Sequence, residues 1–173
     1  MESLKERPVA LTMVALGALV RLIPHPWNFA PVGGLSLVAG ARLRGWRAYM
    51  VPILLMAVTD PFLGGFSIAT PFVYLSFLIN VWMGRQLRDS ENPLKIGAFA
   101  VISSVQFFLI SNFGSWVGYY AHTWAGLASC YTLAIPFYAR TLVSDLLTCG
   151  VLFGLHAVLS RTVYTRERVA QAA

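Results

Sequence analysis

Residues 94–139 read LKIGAFAVISSVQFFLISNFGSWVGYYAHTWAGLASCYTLAIPFYA, and from 96 to 139 there is no Asp, Glu, Lys or Arg. A helix on the surface of a water-soluble protein carries charged and polar residues along one face. An uncharged apolar run needs a different solvent, and a hydrocarbon core about 30 Å thick takes about 20 such residues per crossing. The same pattern recurs outward from this stretch, between Arg7 and Arg21, between Arg47 and Asp60, and between Asp145 and Arg161. Over the 173 residues the apolar fraction is 57% and the charged fraction 12%, against about 45–50% and about 25% for soluble domains. That charge cannot clothe a soluble enzyme of this size. An aromatic content of 13% excludes a solvated, disordered polymer. The expectation is an all-α integral membrane protein with a single domain over 1–173.

Gaps between charged residues and Pro/Gly breakers set the expected helices at about 8–23, 31–43, 46–60, 71–87, 94–111 and 139–160. A long outer loop at 112–138, marked by Gly114, Gly118, His122 and Pro136, is expected between the last two. The prolines of Pro24-His25-Pro26 forbid helix continuation after the first span. Several spans fall short of the usual crossing length. Irregular backbone at membrane depth is tolerated where it lines a cavity, so this six-transmembrane-helix bundle with short Gly/Pro-interrupted helices favours a binding protein over an anchor.

The net charge of +6 is distributed as membrane topology is written, not as a nucleic-acid surface. With both termini cytoplasmic, Lys5, Arg7, Arg42, Arg44, Arg47, Arg85, Arg88, Lys95, Arg161, Arg166 and Arg168 lie inside. Only Arg21 and Arg140 lie toward the outer face. Cys130 and Cys149 are too few for a disulfide framework and read as buried small hydrophobes.

This orientation leaves Arg21, His25, Asn28, Asp60, Asn112, His122, Arg140 and Asp145 at the outer ends of the helices. One reading is two ion pairs, Arg21 and Arg140 with Asp60 and Asp145, stapling helix ends. The other is a polar pocket open to the outside, since ionisable groups at membrane depth face a bundle interior or a wet cavity. Trp27, Phe29, Phe62, Phe66, Tyr74, Phe113, Trp116, Tyr119, Tyr120, Trp124 and Tyr131 accompany them. Such rings form either an interfacial belt or the apolar wall of a small-molecule site. Small residues at Ala30-x-x-x-Gly34, Ser36-x-x-x-Gly40 and Gly150-x-x-x-Gly154 mark close helix approach, read as packing within the chain. No nucleophile elbow, zinc-protease, Cys-x-x-Cys or phosphate-loop motif is present, and the chain is not read as an enzyme.

From Arg21 through Pro24-His25-Pro26-Trp27-Asn28-Phe29-Ala30-Pro31, the chain resembles small bacterial membrane proteins related to the substrate-binding S components of energy-coupling factor (ECF) vitamin transporters. It is most similar to the solitary cobalamin-type S components and their uncharacterised relatives. The resemblance continues at Asp60, Tyr74-Leu75-Ser76-Phe77, the segment 111–116, Cys130-Tyr131, the segment 134–137, Thr141-Leu142 and Asp145-Leu146. It implies an ECF S-component-like six-helix bundle in the bacterial cytoplasmic (inner) membrane. It also implies uptake of a vitamin, with cobalamin or a corrinoid the leading ligand, captured at the outer face.

The expected substrate-binding residues are His25, Asn28, Phe29, Asp60, Tyr74, Asn112, Trp116, Tyr131 and Asp145. His25 is a potential ligand of a substrate cobalt, and no intrinsic cofactor is expected. Partners would be the bilayer, the vitamin, and an ECF-type ATPase module or other membrane subunits; nucleic acid is not among them. The first helix has Ala10, Ala15, Gly17 and Ala18, none spaced by four, whereas the family docks its module through Ala-x-x-x-Ala. That departure keeps a second class open: a structural or accessory subunit of a larger membrane complex. A membrane-embedded enzyme, resting only on the His/Asp set, is the third.

The charge distribution predicts that, with Cys130 and Cys149 replaced by Ala, a cysteine at Ser67 in intact cells reacts with a membrane-impermeant maleimide. A cysteine at Ser90 should react only after lysis. The reverse pattern would overturn the orientation.

Overall fold

The computed structural model describes residues 2–23, 29–88 and 90–172, and the side chains over 11–23, 29–88 and 90–158. Six α-helices occur among them: α1 Glu2–Leu22, α2 Val32–Arg42, α3 Arg47–Thr59, α4 Thr70–Gly84, α5 Pro93–Tyr119 and α6 Trp124–Ala172. Short 3-10 turns, Asp60–Phe62 and Arg85–Leu87, continue α3 and α4. No strand occurs among the described residues.

The sequence of α2, VGGLSLVAGAR, is apolar or small all round, which suits a helix surrounded by protein. Every residue from Val32 to Ala41 is buried, and α1, α3, α4, α5 and α6 all pack on it. Small residues allow the closest approach. A Cβ on Gly40 would overlap the Val81 carbonyl of α4, and one on Gly84 would overlap the Leu37 carbonyl of α2. The α2–α4 crossing is therefore backbone against backbone. Gly34 makes room for the Thr148 side chain of α6. Gly150 and Gly154 meet nothing within 4 Å, so of the three small-residue pairs only the two on α2 pack within the chain.

The apolar core wraps this helix. Leu37 and Val38 pack with Met83, Leu87, Ile96, Cys149 and Phe153, and Val32 and Leu35 with Leu55, Met56 and Phe77. Cys130 and Cys149 are buried and free. At the C-terminal ends of α2 and α4, basic side chains donate to loop carbonyls: Arg42 to Arg88 at 3.0 Å, Arg85 to Gly45 at 3.2 Å and Lys95 to Gln86 at 2.9 Å. Gly45 sits at φ 65°, a left-handed conformation that costs a residue without a Cβ little.

The expected outer loop at 112–138 is corrected. α5 continues to Tyr119, α6 begins at Trp124, and a tight turn at 120–123 joins them as a helical hairpin. The glycines read as breakers are contact points instead. A Cβ on Gly114 would overlap the Phe72 ring, and Gly118 lies against Ile68. Pro136 lies inside α6, where it removes one backbone donor without ending the helix. The turn is built from local bonds: Trp116 Nε1 donates to the Ala121 carbonyl at 3.1 Å, and Thr123 Oγ1 accepts from Gly126 N at 3.1 Å. That makes Thr123 the side-chain cap of α6.

α5 and residues 124–158 of α6 are long and apolar enough to cross a membrane. α2 and α3, at 11 and 13 residues, are not. The outward faces are apolar: Leu11, Leu16 and Leu19 on α1, Ile102 and Leu109 on α5, and Leu133, Val143, Leu147, Val151 and Leu155 on α6 are exposed. Ser36, Thr59, Asp60, Ser76, Asn80, Ser103, Ser104, Ser144 and Asp145 are buried.

Gly40→Ala should lower the melting temperature sharply, because neither the Val81 nor the Gly84 backbone can retreat from the new methyl; overpacking of this kind costs ~1–3 kcal/mol. Gly150→Ala, facing open space, should leave it unchanged or raise it, since Ala favours a helix by up to ~1 kcal/mol over Gly. Equal melting temperatures for Gly40→Ala and wild type would contradict the backbone-to-backbone crossing.

Candidate functional site

The first N–H groups of any helix lack intrahelical acceptors, and no side chain next to the start of α2 supplies one. Asp145 of α6 does: Gly34 N donates to its Oδ1 at 2.9 Å, and Ser104 Oγ of α5 donates to its Oδ2 at 2.6 Å. Gly33 and Gly34 make the approach feasible, because a Cβ at Gly33 would occupy the carboxylate's place. The positive end of the α2 dipole meets the negative group there. Asp145 is 1% exposed.

A second polar centre joins the ends of α1, α3 and α4. Arg21 Nη1 pairs with Asp60 Oδ1 at 2.7 Å and also donates to Thr59 Oγ1. Tyr74 Oη donates to Asp60 Oδ2 at 3.0 Å. Of the two ion pairs that one reading drew from Arg21, Arg140, Asp60 and Asp145, one is formed, Arg21 with Asp60. A second is not, because Arg140 is exposed and Asp145 has no ion-pair partner among the described residues.

Between the two centres lies a cavity of ≈ 330 Å³. Arg21 and Asp145 line it, with Asn112, Ser111, Ser115 and Thr141, while Phe77, Phe107, Phe108, Phe137 and Tyr138 form much of its wall. The rings are paired: Phe77 stacks on Phe107 at 5.0 Å between centroids, and Phe108 lies tilted on Tyr138 at 5.0 Å. Apolar walls with a few fixed polar groups are the composition of a small-molecule site. No group of three or more His, Cys, Asp or Glu side chains that could hold a metal ion occurs among the described residues.

Of the residues singled out in the sequence, Asn112 and Asp145 line the cavity, and Asp60 and Tyr74 meet at the Arg21 ion pair on its margin. Trp116 is spent on the hairpin turn, its ring 5.2 Å from that of His122. Tyr131 donates to the Leu109 carbonyl at 2.6 Å and fastens α6 to α5. Phe29 is half-buried away from the cavity lining. His25 and Asn28 lie outside the described residues. Sequence reasoning missed Ser104 and the aromatic pairs of α4, α5 and α6. Their signal was helical spacing: Ser104, Phe108, Ser111 and Ser115 recur at three or four residues on one face of α5, as do Ala134, Tyr138, Thr141 and Asp145 on α6.

Compared with known proteins, residues 2–169 match the model of a family of unknown function (DUF6580), and the chain belongs to that family. No curated protein and no solved structure matches it.

Asp60→Asn should destabilise the protein strongly, since removing one partner of a buried pair costs ~3–5 kcal/mol. Tyr74→Phe, which removes one hydrogen bond, should cost ~1 kcal/mol. Replacing both charges together, Arg21→Met with Asp60→Leu, should recover most of the loss. A double variant as unstable as Asp60→Asn would show that the pair is not the source of the effect; melting temperatures of the four proteins decide it.

Proposed function

We propose that this member of a family of unknown function is a multi-pass integral membrane protein that captures a small molecule, a vitamin, in the cavity between α1, α2, α4, α5 and α6. The observation that carries the membrane part is the apolar exterior of the long helices, with carboxylates and hydroxyls placed inside among the apolar core. Two carboxylates and a set of hydroxyls are buried, while leucines and valines line the outward faces of α1, α5 and α6. In water such wide exposed apolar faces are unfavourable; against lipid they are the favourable arrangement. The short α2 fits a six-span bundle because protein surrounds it, and the 3-10 turns lengthen α3 and α4. The basic loops at the C-terminal ends of α2 and α4 would face the cytoplasm, and the Arg21 end the outside of a bacterial inner membrane.

The cavity supports capture rather than chemistry. Its lining offers hydrogen-bonding groups and aromatic walls. Its ≈ 330 Å³ stands at the small end of ligand sites, which run from about 300 to 1,000 Å³. A compact vitamin fits the cavity as it stands, and a corrinoid would require α5 and α6 to part from α2 and α4. An energising ATPase module or other membrane subunits would complete an uptake system. The reading as an accessory subunit is favoured by one observation: Gly150 and Gly154 on α6 face open space, where a partner helix could pack.

The test is the small molecule that travels with protein purified in mild detergent from its native host, identified by absorption and mass. Adding that vitamin at a hundred times its dissociation constant should stabilise the protein by ~2.7 kcal/mol. Phe107→Trp, which fills the cavity, should abolish the shift. If neither the co-purified molecule nor any of a panel of vitamins, corrinoids included, raises the melting temperature, the capture reading fails. Fixed co-purifying membrane subunits would then favour the accessory role.

A further inference from the structure

We infer that the ligand of this cavity presents a positively charged nitrogen, as a protonated amine or quaternary ammonium, to the Asp145 carboxylate. The inference rests on the capture reading and deepens it by naming the ligand's chemistry.

The argument is the balance of charge around the cavity. Two oppositely charged side chains line it, Arg21 and Asp145. Arg21 is committed to Asp60 at 2.7 Å and to Thr59, so that pair is neutral as a unit. Asp145 has two neutral donors, Gly34 N and Ser104 Oγ, and no cation among the described residues. The α2 N-terminus offsets about half an elementary charge. Arg140 sits five residues earlier on α6, and at ~3.6 residues per turn that spacing places it on the far side of the helix, where it is exposed. A carboxylate taken out of water without a full counter-charge is costly, and each of its oxygens retains acceptor capacity. A cationic ligand supplies what the chain withholds.

The aromatic walls point the same way. Phe77, Phe107, Phe108 and Tyr138 line the cavity as two pairs, each 5.0 Å between centroids, and the faces of such rings are electron-rich. Rings of this kind attract ammonium groups, and more strongly where water is excluded. An anionic ligand would meet the opposite: Asp145 repels it, and the arginine is already paired.

The experiment uses the full chain in mild detergent with two probes of one shape, choline and its uncharged isostere in which carbon replaces the ammonium nitrogen. Choline should bind ~10-fold or more tightly than the isostere in calorimetric titration. Asp145→Asn retains an acceptor for Gly34 N–H and should bring the two affinities together. Should that variant fail to fold, Phe108→Leu takes its place: choline should weaken ~5-fold while the isostere changes little.

Equal binding of the two probes to wild type would overturn the cationic class and leave vitamin capture standing. So would a wild type that binds a neutral vitamin and neither probe. An unchanged choline preference in folded Asp145→Asn, or equal losses in Phe108→Leu, would overturn the site assignment. If no probe and no vitamin binds, the capture reading falls with it.

Discussion

The Asp145 carboxylate ties three helices at one point. It accepts from the start of α2 and from the middle of α5, and it stands on α6. α2 contributes no cap of its own, so its buried N-terminus needs an acceptor from elsewhere. The two glycines at that end exist to let the acceptor in. α2 in turn is the helix around which the others are arranged, with Gly40 and Gly84 bringing α4 into backbone contact nearer its C-terminal end. A larger residue at Gly33 would push away the carboxylate, and with it the α5–α6 hairpin that forms one wall of the cavity.

Buried polar groups within an apolar core, and apolar side chains on the outward faces, belong to the same design. In a bilayer, burying leucines between helices brings little hydrophobic gain. Close packing of small residues and hydrogen bonds between helices take over as the cohesive forces. Both are present here: glycines at the crossings, and hydroxyls and carboxylates that bond across or within helices. The Arg21–Asp60–Tyr74 cluster belongs to this class of interaction. Neutralising its own charge leaves Asp145 as the unbalanced group beside the cavity.

Much of the architecture was legible in the sequence because charge and proline punctuate it. The starts of α2, α3, α4 and α5 fall within a residue or so of where the charged residues and prolines place them, and Arg21 and Asp60 stood among the four charged residues that one reading paired without saying which with which. The hairpin was not legible. Gly114, Gly118 and Pro136 carry the residue types of a loop, and only the neighbours Phe72 and Ile68 reveal that the glycines are packing contacts. Trp116 and Tyr131 are aromatic for the sake of the turn and the α5–α6 seam, which composition cannot separate from a binding wall. Ser104 and Phe108 were passed over because a serine or phenylalanine in an apolar helix is ordinary until its helical face is known to meet an Asp or a cavity.

The central claim is that lipid covers the outside of this bundle while the cavity inside it is polar-lined and open to water. The most direct measurement is collision accessibility of a nitroxide spin label in reconstituted bilayers, placed in turn at Leu147 on the exposed face of α6 and at Ser111 on the cavity lining. Leu147 should collide freely with dissolved oxygen, which concentrates in hydrocarbon, and hardly at all with a water-soluble nickel chelate; Ser111 should show the opposite ranking. A label at Leu147 that is quenched by the nickel chelate as readily as one in bulk solution would contradict the account.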